Sequence, residues 1–366
     1  MVSGIVLRWF SIQQQWGIVV PDQIIEFLGT VGLIMIVLEA GLDLQLQRSK
    51  TKVIRNSFFA ALVIFLLCVA GIASVLRFWL GEETLKCIVY AIPLSIMSSS
   101  IVIPSLQHLS ESKKEFLVYE ASFSDMLGIL VFNYFIGREI LSGYAIAHFF
   151  INILLAVLFS LLFSLVLFII LTKTKMNIKF FLVFALLIIL YEGGKLLGLP
   201  SLLIILIFGM LMRNWNHLYH YPVAKKYFLN EEVNSTTGFL HSITAESSFL
   251  IRTFFFILFG YSINITLIMQ PTIIIAGSAI VIILFLMRFL YLRFFVKESV
   301  YPEVFFIPRG LITILLFYKI PSSLQLKDFD DGILFFIILL TSIVMMLGML
   351  FYKKEPDSIA EEVSII

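Results

Sequence analysis

The chain has 366 residues, is 60% hydrophobic and only 14% charged, and has a mean hydropathy of +1.03. These values exclude a soluble globular domain and describe a polytopic, all-α membrane protein whose length is no guide to domain number. The formal net charge of +2 resides in connecting segments and gives no reason to expect nucleic acid as a partner.

Residues 1–23 open the chain with a short apolar core broken by Arg8 and no small-residue cleavage site, which does not read as a cleavable signal. Apolar runs of about the 20 residues needed to span a bilayer then follow, several of them short or interrupted. They are Ile24–Leu46, Ser57–Leu76, Lys86–Leu106, Leu117–Ile136, His148–Leu171, Ile178–Leu197, Pro200–Met212, Ser247–Asn264, Thr272–Leu292, Val304–Ile320 and Ile333–Phe351. About eleven spanning helices are therefore expected, with 353–366 as a polar tail. Cys68 and Cys87 are too few for a disulfide framework and lie in or beside these runs, so packing is their expected role.

Charge in the connections sets orientation, because lysine and arginine accumulate on the cytoplasmic side. Alternate connections carry Arg48, Lys50, Lys52 and Arg55, then Lys113 and Lys114, then Lys173 and Lys175, then Arg293 and Lys297, while the opposite ones hold scattered residues such as Arg77, Arg138 and Lys195. The first set, the long connection 214–246 and the C-terminus are thus expected in the cytoplasm.

The fourth run, LVYEASFSDMLGILVFNYF, carries Glu120 and Asp125. An acid at mid-membrane costs about 2.5–3.5 kcal/mol on insertion scales, so such residues point to function and need a partner. Glu120 and Ser124 share a helix face at i and i+4, and Asp125 lies on the adjoining face, about 7.5 Å along the axis from Glu120. A purely structural hydrogen bond from Asp125 to a neighbouring helix is the competing reading.

Once orientation is known, an internal repeat emerges. LEAGLDLQL closes the first run and LFGYSINI stands at the same place in the eighth. The third run contains Pro93, Ser98, Ser99, Ser100 and Pro104; the tenth contains Pro308, Arg309 and Gly310. The four runs of each copy have opposite topology. Proline in mid-helix opens the hydrogen-bond ladder, so the third and tenth runs should unwind near their middles. Unwound backbone within a membrane must be buried in protein or line a wet cavity. Two crossing discontinuous helices in inverted repeats point to the substrate site of a secondary transporter. Arg309 and the serines are placed to balance the helix ends that face one another there.

Arg288 lies in the inner half of the ninth run, at the depth of Glu120. An ion pair between them would spare two bare charges and brace the helix carrying Asp125, whereas snorkelling to the headgroups is the alternative. Asp125 is then the group free to exchange a proton for a small cation. Oxygen from Ser124, from Ser98, Ser99 and Ser100 and from freed carbonyls suits a hard monovalent ion. Glu39, in the inner part of the first run, is a secondary candidate expected to bond the third or fourth run. Glu246 and Arg252, at the start of the eighth, are expected at the membrane interface. His217 and His220 sit among aromatic belt residues, and His241 is a single of no assigned role. No motif sets a nucleophile beside a base, and neither an enzyme nor a cofactor is expected.

These residues resemble the monovalent cation:proton antiporter superfamily, nearest its sodium/proton exchanger branch. Glu120-Ala-Ser-Phe-Ser124-Asp125 is similar to that branch's ESLLND motif, with Ser124 in place of the usual Asn. Leu38–Leu44 is similar to FEAGLNL, FLMRFL around Arg288 to the helix whose arginine pairs with the motif glutamate, and Pro308-Arg309-Gly310 to the second broken helix. The resemblance implies that Asp125 binds the ion, a monovalent cation, and that Glu120 is structural. It also implies a homodimer in which a core domain moves against a dimerisation domain. One-for-one exchange of sodium or potassium for protons follows from the absence of a paired aspartate. The expected organisation is a remnant of an N-terminal helix over 1–23, repeat one over 24–136, connecting helices over 148–212, repeat two over 247–352 and the tail. The expected location is a bacterial inner (plasma) membrane. The family has one or two further helices before the position of Ile24, so a coding start upstream of Met1 or a curtailed dimer interface is expected. A non-transporting sensor or scaffold that keeps the fold is the alternative in a different class.

Overall fold

The computed structural model describes residues 2–14, 22–44, 50–136, 143–173, 179–197, 199, 201–214, 230–262, 269–296, 300–327 and 329–352, and the regular structure within them is helical. Among these residues, five stretches are long and apolar enough to cross a bilayer: Thr51–Leu80, Thr84–Ser105, Thr237–Tyr261, Pro271–Val296 and Asp331–Leu350. His217, His220, the end of LFGYSINI at 263–265 and the tail lie outside the described residues.

The helices are α1 Val2–Gln13, α2 Asp22–Asp43, α3 Thr51–Leu80, α4 Thr84–Ser95, α5 Ser99–Ser105 and α6 Glu111–Phe135, then α7 Gly143–Lys173, α8 Lys179–Leu196 and α9 Ser201–Arg213. After them come α10 Asn230–Ser262, α11 Pro271–Tyr291, α12 Leu311–Tyr318 and α13 Asp331–Leu350. Local chemistry sets several of their ends. Gly81 stops α3 in the left-handed conformation at φ 67, its N–H closing on the Arg77 carbonyl. Pro271 starts α11 at a position where its missing N–H costs nothing. Asp330 caps α13 by accepting from the Gly332 N–H at 2.7 Å.

The helices pack as two bundles. In the first, α2 lies against α9 and α10, α1 against α10, and α7 and α8 against α9. Two glycines let α2 and α9 cross backbone to backbone: a Cβ on Gly41 would stand 2.5 Å from the Leu206 carbonyl oxygen, and one on Gly209 would stand 2.8 Å from that of Leu38. In the second bundle α3 packs against α4, α6 and α11, while α13 covers α11. The bundles meet where α12 runs along α2 and where α6 touches α9. Each bundle owes its cohesion to apolar side chains, and their lipid-facing surfaces expose others, such as Phe59, Leu66 and Ile282.

One sequence expectation needs correction. The eighth run was expected to begin at Ser247, but its helix begins at Asn230, so the connection 214–246 is largely helical over its described part. Polar residues such as Thr237 and Thr244 are buried there against the rest of the protein, and their polarity hides this part of the helix from a hydropathy window. The N-terminal remnant includes the helix Val2–Gln13, which docks on α10 through Arg8 to the Tyr261 carbonyl at 3.2 Å and Ser11 to the Tyr261 hydroxyl at 2.9 Å.

Candidate functional site

The second bundle contains two interrupted helices that touch at their breaks. The third run stops as α4 at Ser95, passes through extended backbone and resumes as α5 at Ser99. The tenth has a short 3-10 turn at Glu303–Phe305, non-helical residues through Gly310 and then α12. The Ser98 N–H donates to the Pro308 carbonyl at 3.0 Å, so one break is bonded to the other. Their approach leaves no room for a side chain at Gly310, where a Cβ would stand 2.2 Å from Ser98 Oγ.

The breaks leave carbonyls without helical partners, and arginines take several of them. At the end of α4, the Leu94 carbonyl accepts from Arg309 Nε at 2.6 Å, and Arg309 Nη1 also reaches the Ile307 carbonyl at 3.1 Å. A cation at this helix C-terminus complements the partial negative charge there. The Arg309 backbone N–H is satisfied by Thr341 Oγ1 at 3.2 Å. In α5, Pro104 stands four residues after Ser100 and cannot supply the N–H that would bond the Ser100 carbonyl. Arg252 Nη1 donates to that carbonyl at 2.8 Å.

Asp125 faces the first break from α6. Its Oδ2 accepts from the Ser99 hydroxyl at 2.5 Å and the Ser99 backbone N–H at 3.3 Å. Its Oδ1 is buried with no hydrogen-bond partner among the described residues. Ser98 and Ser100 bond each other through their hydroxyls at 2.8 Å, and Ser124 Oγ accepts the Met97 N–H at 2.9 Å. Of the five residues singled out as an ion-binding set, Ser99 bonds Asp125 while Ser98 and Ser100 bond each other and Ser124 engages backbone. A buried carboxylate oxygen left without a donor costs about 1–3 kcal/mol or more when charged, which a proton or a cation would offset.

One turn away, Arg288 on α11 holds Glu120 in a two-pronged contact, Nη1 to Oε1 at 2.7 Å and Nη2 to Oε2 at 2.9 Å. Both side chains are buried, with 2% and 1% exposure. Arg288 Nε donates in addition to the Glu303 carbonyl at 2.6 Å, and the Glu303 carboxylate meets Lys113 at 3.3 Å. Glu120 is thus committed, whereas Asp125 Oδ1 is not. A small cavity lined by Ser95, Glu120, Ser124, Arg288 and Arg309 lies between the pair and the break.

The first bundle brings its own polar groups to this region, and here the structure departs from the expectation for three residues. Glu39 was expected to bond the third or fourth run; instead its Oε2 accepts from Arg252 Nη2 at 2.8 Å. Arg252 was expected at the membrane interface, yet the longer α10 carries it inward to Glu39 and Ser100. His241, given no role, meets Asp43 at 2.7 Å. The signal that would have found these contacts is the spacing itself. Glu39 and Asp43 are four apart on α2, and His241, Thr244, Ser248 and Arg252 form a stripe at steps of three and four once α10 is extended.

Comparison with known proteins is consistent with this architecture. The family model described as "Sodium/hydrogen exchanger, transmembrane" matches residues 1–353. No curated protein sequence matches the chain. Among solved structures, that of the sodium proton antiporter MjNhaP1 from Methanocaldococcus jannaschii at pH 8 aligns with TM-score 0.65 and 18% identity, covering 90% of this chain and 85% of that one. A map of the same antiporter by electron microscopy aligns with TM-score 0.64 and 17% identity, covering 91% and 87%. At such identities the likeness speaks for the fold, and it is the family model, running through both breaks and the acidic helix, that decides kinship. The chain belongs to the sodium/hydrogen exchanger family of integral membrane cation/proton antiporters.

Proposed function

We propose that the chain exchanges cytoplasmic sodium for external protons, one for one, with Asp125 as the carboxylate that the two ions occupy in turn. The observation that carries this reading is the buried, unpartnered Oδ1 of Asp125 at the point where the two broken helices are bonded together. Sodium or a proton each neutralises the same single charge, and Glu120 is already neutralised by Arg288, so one proton replaces one sodium ion and the exchange carries no net charge. The name of the structural neighbour, a sodium proton antiporter, favours sodium over potassium. Ser99 positions the carboxylate, and the hydroxyl of Ser124 and the carbonyls of the break supply the hard oxygen atoms a sodium ion prefers. Alternate exposure follows from movement of the second bundle, which carries Asp125, along the first. The test is sodium-driven proton flux in proteoliposomes. The native chain exchanges, and Asp125→Asn, close to isosteric and unable to ionise, abolishes exchange; retention of full exchange by that variant refutes the mechanism.

A further inference from the structure

Among the described residues, side-chain hydrogen bonds run from one bundle to the other, two of them made from α12 and α10. Lys319 Nζ, at the end of α12, donates to the Tyr191 hydroxyl of α8 at 2.7 Å. The second joins α10 to the break itself. We propose that Arg252 is a positioning residue that docks the mobile bundle on the stationary one by gripping the carbonyl of Ser100, and that this grip is made and released in every exchange cycle.

The grip is a fork with one prong in each bundle. Nη2 holds Glu39 of α2, in the same bundle as Arg252, and Nη1 holds Ser100 of α5, across the seam, both at 2.8 Å. The acceptor is available for a covalent reason, since Pro104 withholds the N–H that would otherwise occupy it. Ser100 is also the last of three serines whose other members are tied to the site: Ser99 to Asp125 and Ser98 to the Pro308 carbonyl of the second break. The grip therefore lands on the short segment that holds the exchanging carboxylate. Around it the seam is smooth, with Gly29 and Gly32 on α2 facing Leu315 and Leu311 of α12. A glycine face packed on leucines offers no polar resistance to sliding, and the fork supplies a directional hold that such a surface lacks. Lysine, a point charge on a flexible stem, does not reproduce a planar fork.

This inference rests on the exchange reading for its purpose, yet its test is separate. Cysteines are placed at Gly29 and Leu315, where a Cβ on Gly29 would stand 2.5 Å from a Leu315 methyl, with Cys68 and Cys87 replaced by alanine. The initial rate of disulfide formation in proteoliposomes reports how often the bundles occupy the observed position. Arg252→Gln is expected to lower that rate at least threefold, and Arg252→Lys to lower it nearly as much, because charge alone does not replace the fork. Glu39→Gln, which leaves the arginine but weakens its anchor, is expected to lower it less. If Arg252→Gln does not yield folded protein, Arg252→Lys and Glu39→Gln decide. A native rate in Arg252→Gln, or a native rate in Arg252→Lys, overturns the proposal. Exchange is measured on the same vesicles: a native chain that cross-links as stated but moves no sodium refutes the exchange reading and leaves the grip standing.

Discussion

Replacing Arg288 with methionine tests whether the Glu120 pair braces the acidic helix. The guanidinium is 2% exposed and makes three hydrogen bonds to oxygen, two to Glu120 and one to the Glu303 carbonyl. Methionine fills much of the volume but returns none of them, and Glu120 is left buried at 1% exposure without a counter-charge. Removing one partner of a buried pair costs about 3–5 kcal/mol. For a chain of this size that corresponds to an apparent melting temperature lower by about 4–7 °C in detergent. The double variant Arg288→Met with Glu120→Gln removes the uncompensated charge, and should recover more than half of the loss. The assay is thermal unfolding followed by the fluorescence of size-exclusion peaks, for the native chain, both single variants and the double. If the double variant is as unstable as the sum of the singles, Glu120 and Arg288 are not energetically coupled and the bracing argument fails. Exchange by the double variant adds a second reading: with Asp125 intact, it is reduced but not abolished.

Other expectations follow from the same geometry. Gly310→Ala drives a methyl group to within 2.2 Å of Ser98 Oγ and should cost about 1–3 kcal/mol of stability with loss of most exchange. Adding Ser98→Gly removes the obstructing side chain and should restore part of both; no rescue means that the contact between the breaks is not the cause. Because protons and sodium compete for Asp125, lowering the pH should raise the half-saturating sodium concentration, approaching about tenfold per pH unit where the proton predominates. A half-saturating concentration that does not change with pH, measured by sodium titration of flux at several pH values, rules out a shared seat. For the grip at Arg252, the cross-linking rates described above complete the set.

The physical reasons for success and failure in reading the chain differ from residue to residue. The breaks were legible because proline and glycine act through covalent geometry: Pro93, Pro104 and Pro308 remove donors wherever they stand, and Ser98-Ser99-Ser100 offers no apolar surface to hold a helix in lipid. Equal depth in the membrane put Glu120 and Arg288 within reach of each other, and the structure shows their side chains bonded. Arg252 was misplaced because hydropathy locates the apolar part of a helix, whereas α10 continues to Asn230 and buries polar residues such as Thr237 and Thr244 along its way.

Composition and spacing alone determined that the chain spans a membrane through helices, that two of them are interrupted, and that one spanning run carries two acids. These are local consequences of hydrophobicity, proline chemistry and the helical period. Tertiary structure alone decided which serine meets Asp125, that Ser124 engages the Met97 N–H, and that Glu39 and Ser100 share one arginine across a seam. Those pairings depend on the rotation of each helix about its axis and on which bundle it joins, and both are fixed by packing among residues far apart in sequence.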